Sequence, residues 1–286
     1  MEQDEQITPK IRIGVVYDGY YFSRISYYYF SEHPIKRHLE IKGLNTFIKE
    51  KVAQKIGVDA RNCYIADSQY FSGRLDTSEL SASFRFEGER MQDEMLRRNS
   101  VNPNYLPIED FKEKGVDVLL ATTSLDMVID LHLDVMVLVT GDGDFKTLPQ
   151  TLRKRGCETM LLCWDFDSAP KADGSPSQTR TSRDLLLNAD DPYEMHSIIQ
   201  NGLRNNNELI LSLFGKTKGR VELGQITSLH KREGRVSVKG KVLWFYKDDP
   251  RLGVDFNTLK EGQWVKLQKE KDGVRETAFN LESFSQ

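Results

Sequence analysis

Residues 135–145 read VMVLVTGDGDF. Five apolar residues, mostly β-branched, run into Thr140-Gly141-Asp142-Gly143-Asp144. An apolar run of that length stopped by glycines predicts a strand buried on both faces, as in a parallel sheet. The KTLPQTLRKRG that follows sets Leu148 and Leu152 four apart before Gly156 and predicts a helix. Strand, acidic turn and helix put Asp142 and Asp144 at the carboxyl end of a central strand, where open α/β sheets bind ligands. Two carboxylates so close repel unless something positive sits between them, and a hard cation such as Mg²⁺ takes oxygen ligands. A plainer reading also fits: Asp144 caps the helix and Asp142 is a turn residue.

Working outward, the same alternation recurs. Residues 10–17 (KIRIGVVY) predict the first strand, again closed by an acid, Asp18. A tyrosine-rich stretch follows, with Tyr20, Tyr21, Tyr27, Tyr28 and Tyr29 among Arg24, Lys36, Arg37 and His38. Aromatics interleaved with cations suit stacked bases and phosphates; tyrosines packing a helix on the sheet give the same pattern. His33 and His38 are expected at the surface. Residues 41–56 have helical spacing, 62–66 predict a second strand closed by Asp67, and 80–99 a polar helix. A short strand at 101–106 precedes a glycine turn and a helix carrying Asp117 and Asp126. Beyond the central motif come a strand at 158–163, a Pro/Gly/Ser-rich loop expected as a mobile flap, and helical pieces from Arg180 and at 192–203. Alternating strands and helices predict an α/β parallel sheet with helices on both faces.

Near Asn205 the pattern changes. Residues 205–220 read as a polar linker between a first domain at 1–204 and a second at 221–286. The second has period two, glycine turns and about five short strands, which predicts a small OB-type β-barrel. Residues 216–276 hold fifteen Lys/Arg against nine Asp/Glu, a basic module in a chain of net charge −3. Trp244 and Tyr246 share one face of a predicted strand, as in single-strand nucleic-acid binders. Period two does not say whether that face is the barrel's core or its exterior.

The whole chain, 286 residues with 38% hydrophobic and 29% charged content, has ordinary globular composition. Its three cysteines lack CxxC spacing and imply a reducing compartment without a zinc site. No run approaches membrane-spanning length and the acidic MEQDEQ start is unlike a signal peptide, so a cytoplasmic location is expected.

VVYDGYYF, EKGVDVLLA and LVTGDGDFKTLPQTLRKRG together resemble NYN-domain proteins, the LabA-like branch of the PIN-like nuclease superfamily. LLCWDFD and TRTSRDLL extend the resemblance over about the first 200 residues. It implies a Mg²⁺- or Mn²⁺-dependent ribonuclease with acidic side chains at the carboxyl edge of a parallel sheet. The carried-over acids are Asp18, Asp117, Asp142 and Asp144, with Asp18, Asp142 and Asp144 as metal ligands. Two positions depart from the family pattern: Tyr21 stands where asparagine is common, and Thr123 where an acid is. Asp126, one helical turn beyond Thr123, is the candidate replacement. GQITSL and LKEGQWVKL resemble a degenerate cold-shock domain, with Ser228 and Arg235 where aromatics are expected. RNA, single-stranded, is the expected partner, contacted by Arg24, Lys36, Arg37, Trp244 and Tyr246; no membrane partner is expected, and a homodimer stays open. The alternative to a nuclease is a non-catalytic RNA-binding regulator on the same fold. A phosphatase using Asp18 lacks the DxD spacing, since residue 20 is tyrosine.

Overall fold

The computed structural model describes residues 10–74, 83–109, 112–170, 175–214, 222–247, 249, 252–272 and 275–284. The chain divides into two compact units. The first comprises Met1–Tyr27 and Leu39–Phe214; the second comprises Tyr28–His38 and Gly215–Gln286.

The first unit is built on seven strands: β1 (Ile11–Asp18), β2 (Cys63–Arg74), β3 (Asn102–Glu109), β4 (Lys112–Glu113), β5 (Val135–Val139), β6 (Glu158–Cys163) and β9 (Asp191–Glu194). Their order is β4-β3-β2-β1-β5-β6-β9, parallel except for the β3–β4 pair. Between β6 and β9, β7 (Phe166–Ser168) and β8 (Ser177–Thr179) pair as a separate antiparallel ribbon. The helices are α1 (Gly19–Ser31), α2 (Ile41–Ile56), α3 (Ser83–Arg98), α4 (Val116–Leu131), α5 (Leu148–Arg153), α6 (Arg183–Asn188), α7 (Met195–Arg204) and α8 (Glu208–Leu211). Among the described residues no helix is long and apolar enough to cross a membrane.

Every residue of β5 is buried, as expected for a central strand covered on both sides. Val16, Met136, Leu138 and Leu161 share a core with Leu120, Met127 and Val128 of α4 and Leu148 and Leu152 of α5. The alternate residues of the strands face the other way; there Tyr17 meets Phe22 of α1 edge to face, ring centroids 5.2 Å apart. Cys63, Cys157 and Cys163 are free, buried thiols.

Two local expectations change. β2 does not stop at Asp67 but continues to Arg74, because its ladders with β1 and β3 carry it past the acid. The Asp67 carboxylate accepts from the Ser68 amide, the Gln69 side chain and the Asn102 side chain. Residues 191–194 are not helical: they form β9, an edge strand beside β6. The stretch expected as a flap is flanked by the paired β7 and β8, while residues 171–174 lie outside the described residues. Within the stretch read as a linker, α8 and the residues after it pack on α2. Leu39 bridges Phe214, both of them buried, and a Cβ on Gly43 would stand 2.0 Å from the Ser212 carbonyl oxygen.

In the second unit, β10 (Glu222–Leu229), β11 (Glu233–Val238), β12 (Lys241–Tyr246), β13 (Trp264–Asp272) and β14 (Arg275–Ser283) form a closed barrel. Their order is β10-β11-β12-β14-β13, with β12 and β14 parallel, a five-stranded barrel of OB type. Leu243 and Phe245 point into the core with Ile226, Val236, Val265 and Leu267. Trp244 and Tyr246 therefore face outward, which resolves the phase that period two left open. Arg235 lies across the ladder from Trp244, its guanidinium carbon 4.1 Å from the ring centroid. In the 28–38 segment His33 is buried, not exposed: its ring lies against Tyr28 and Tyr29, and Nδ1 accepts from the Ile35 amide.

Candidate metal centre and cleft

Tyr17 pairs with Val139 across the β1–β5 ladder, so Asp18 and Thr140 leave the sheet side by side. The Thr140 hydroxyl donates to Asp18 Oδ2 at 3.0 Å and accepts from the Asp142 amide at 3.1 Å. One threonine thus ties the first acidic strand end to the acidic turn. Asp18 also caps α1, its Oδ1 accepting from the Tyr21 amide at 3.1 Å.

Asp142 does the capping in the glycine turn: its Oδ1 accepts from the Asp144 amide at 2.9 Å and starts a single 3₁₀ turn, Gly143–Phe145. The plainer reading assigned a cap to Asp144; the cap is real but belongs to Asp142. Helix α5 begins later, at Leu148, with Thr147 before it and proline in its first turn. Asp144 is left exposed beside Asp142.

Asp117 arrives from another element. Gly115, at φ 77°, turns the chain in a conformation that side chains resist, and Asp117 falls in the first turn of α4. One carboxylate oxygen from each of Asp117, Asp142 and Asp144 lies within 4.8 Å of the other two. Asp18 is not one of this trio but adjoins it. Burial pushes its carboxyl up to about 6, two hydrogen bonds offset part of that, and the charges of Asp117 and Asp142 add to it. Asp126 is not brought in. It is nine residues along α4 from Asp117, about 13 Å down the axis and half a turn round it.

An all-oxygen, all-carboxylate donor set fits a hard divalent cation such as Mg²⁺ or Mn²⁺ and not a softer metal that prefers nitrogen or sulfur.

Beside the acids opens a cleft of about 450 Å³. Asp18, Tyr20, Tyr21 and Arg24 line it from the start of α1, Gly141 to Gly143 from the turn, and Gln178 to Ser182 from β8 and the segment after it. Tyr21, at the family's asparagine position, supports the cleft wall instead of offering an amide. Its hydroxyl accepts from the Trp164 amide at 2.7 Å, and its ring covers Gly141, where a Cβ would stand 3.0 Å from it. Gly143 leaves room for Ser182, whose Oγ would be 2.8 Å from a Cβ there. Arg24 donates through Nη2 to the Gln178 carbonyl at 2.8 Å and the Ser177 hydroxyl at 3.1 Å. Arg180 binds the Phe166 and Thr179 carbonyls and pairs with Asp167, and Thr181 binds Asp165. Lys36 donates to the Ser31 carbonyl, and Lys36 and Arg37 belong to the segment grouped with the second unit. Sequence reasoning named Tyr20 only among the aromatics suited to stacked bases, and passed over Gln178, Arg180 and Thr181 as cleft residues. Arg180 and Thr181 lie in the irregular segment between β8 and α6, with no periodicity to mark a face, and Gln178 lies in a strand of only three residues.

The NYN domain model matches residues 13–179, more than half of the chain. The NYN domain is a PIN-like nuclease family, its nucleases typically divalent-metal dependent, and the match supports a nuclease or RNA-related role. No curated protein matches. A crystal structure of a protein of unknown function from Vibrio parahaemolyticus is similar at 16% identity, covering 68% of this chain and 96% of that one, with a TM-score of 0.40.

Proposed function

This chain belongs to the NYN-domain family, and from that premise we propose that it is a metal-dependent ribonuclease whose barrel binds RNA. The observation that carries the reading is the convergence of Asp117, Asp142 and Asp144 at the carboxyl edge of the parallel sheet. In this reading the three acids hold Mg²⁺ or Mn²⁺, with Asp18 as the half-buried fourth carboxylate. A bound divalent ion supplies Lewis-acid stabilisation of charge on the phosphate and makes water a better nucleophile. Asp126, far along α4, takes no part.

The protein's own groups do the rest. Thr140 keeps Asp18 and the Asp142 backbone in register. Asp142, by capping the turn, keeps its carboxylate beside that of Asp144. Arg24 reaches the cleft wall with part of its guanidinium committed to the chain, so the remainder meets a phosphate with little loss of side-chain freedom. On the barrel, outward Trp244 and Tyr246 offer ring faces to unpaired bases, and the Arg235 guanidinium over Trp244 adds positive charge. RNA in single-stranded form is the proposed substrate, and a reducing, cytoplasmic setting is the proposed location.

The test is labelled single-stranded RNA with purified protein in Mg²⁺, in Mn²⁺ and in chelator. Cleavage that needs the metal and disappears in Asp142→Asn supports the reading. Binding without cleavage under every divalent ion replaces it with the non-catalytic RNA-binding regulator, the reading that Thr123 at the family's acid position favours.

A further inference from the structure

Two neighbouring rings on α1 have opposite fates. Tyr21 is 8% exposed and anchored to Trp164, while Tyr20 is 66% exposed and lines the acidic cleft. Among the described residues neither the ring nor the hydroxyl of Tyr20 has a partner. Arg24, four residues on, lies on the same face of α1 and lines the same cleft. Its Nη2 is used by Gln178 and Ser177, which leaves Nε and Nη1 without partners among the described residues. A free aromatic face and a half-anchored guanidinium thus stand one helical turn apart beside Asp18 and Asp142.

We propose that Tyr20 and Arg24 form a one-nucleotide subsite, Tyr20 stacking on an unpaired base and Arg24 binding its phosphate. This rests on the ribonuclease reading for its substrate, RNA. The size of the cleft sets the substrate class. About 450 Å³ is at the small end of ligand sites and has room for one nucleotide. A paired nucleotide must leave its helix before it can enter such a site. The subsite therefore selects single strands over duplexes, and stacking makes it tolerant of base identity because every base has a ring face.

Photocrosslinking tests this directly. Full-length Asp142→Asn protein is irradiated with a single-stranded RNA carrying 5-iodouridine, and the adducts are mapped by peptide mass spectrometry. An adduct on Tyr20 that disappears when the complement is annealed is expected. In cleavage by the otherwise wild-type chain, Tyr20→Ala raises KM about five- to hundredfold with little change in kcat, as loss of one stacked base predicts. Tyr20→Phe restores it, since the ring and not the hydroxyl is used. Adducts confined to other residues, with Tyr20→Ala within twofold of wild type, overturn the subsite. Equal labelling from the duplex overturns the single-strand selection. A Tyr20 adduct in a protein that cleaves nothing leaves the subsite standing and removes the nuclease reading.

Discussion

Asp18→Asn, in chelator, isolates the electrostatic cost of the site. The Asp18 carboxyl lies half-buried against the end of β5, bonded to Thr140. Burial, opposed by the Tyr21 and Thr140 hydrogen bonds and reinforced by Asp117 and Asp142, raises it from its ordinary 3.8 to about 6. Because the folded-state value lies above the unfolded one, the contribution of Asp18 to stability is fully present below pH 3.8 and lost as pH rises through 6. At about 1.4 kcal/mol per pH unit, the ionised carboxylate costs the folded protein about 3 kcal/mol above pH 7. Asparagine carries no charge and its oxygen still accepts from the Tyr21 amide. It loses the acceptor for the Thr140 hydroxyl, worth about 1 kcal/mol. The variant should therefore be about 2 kcal/mol more stable than wild type at pH 8, and no more stable at pH 4. Urea unfolding followed by circular dichroism across that range reads the difference. A variant less stable than wild type at pH 8 in chelator would refute the reasoning, since the fold would then be stabilising the Asp18 charge. Saturating Mg²⁺ should reverse the order, because a cation beside four carboxylates favours the wild type.

Asp142→Asn should lower RNA cleavage by orders of magnitude while RNA binding, read by fluorescence anisotropy, persists; Asp126→Asn should leave the cleavage rate within about twofold, since it is about 13 Å away along α4. Trp244→Ala should weaken RNA binding about five- to hundredfold without lowering the melting temperature, whereas Phe245→Ala should cost the barrel about 3–5 kcal/mol in urea titration, because its ring fills the core. Gly43→Ala should destabilise the first unit by more than about 1–3 kcal/mol, because the atoms its Cβ meets are the backbone of Ser212 and Leu213 and cannot rotate away; a melting curve unchanged from wild type would show that residues 205–214 do not need their seat on α2.

The fold class was legible because burial writes itself into local periodicity. The 135–139 run is apolar throughout since β5 is covered on both faces, and the barrel strands alternate since only one side of each meets the core. The acids after β1 and β5 were legible for the same reason: parallel strands end at one edge, so Asp18 and the GDGD turn had to emerge together. What periodicity lacks is phase and long-range partners. It did not say that Trp244 faces out, that Tyr20 is bare while Tyr21 is buried, or that β2 runs on past Asp67. Four-residue β9 exists only through its ladder with β6, which contributes hydrogen bonds that no local propensity records. The resemblance assigned acids by position, but only the seat of α4 brought Asp117 within reach of Asp142 and Asp144 and left Asp126 outside. A helix presents each side chain at a set angle and height, and where that height falls against a neighbouring sheet is decided by packing between residues far apart in the chain.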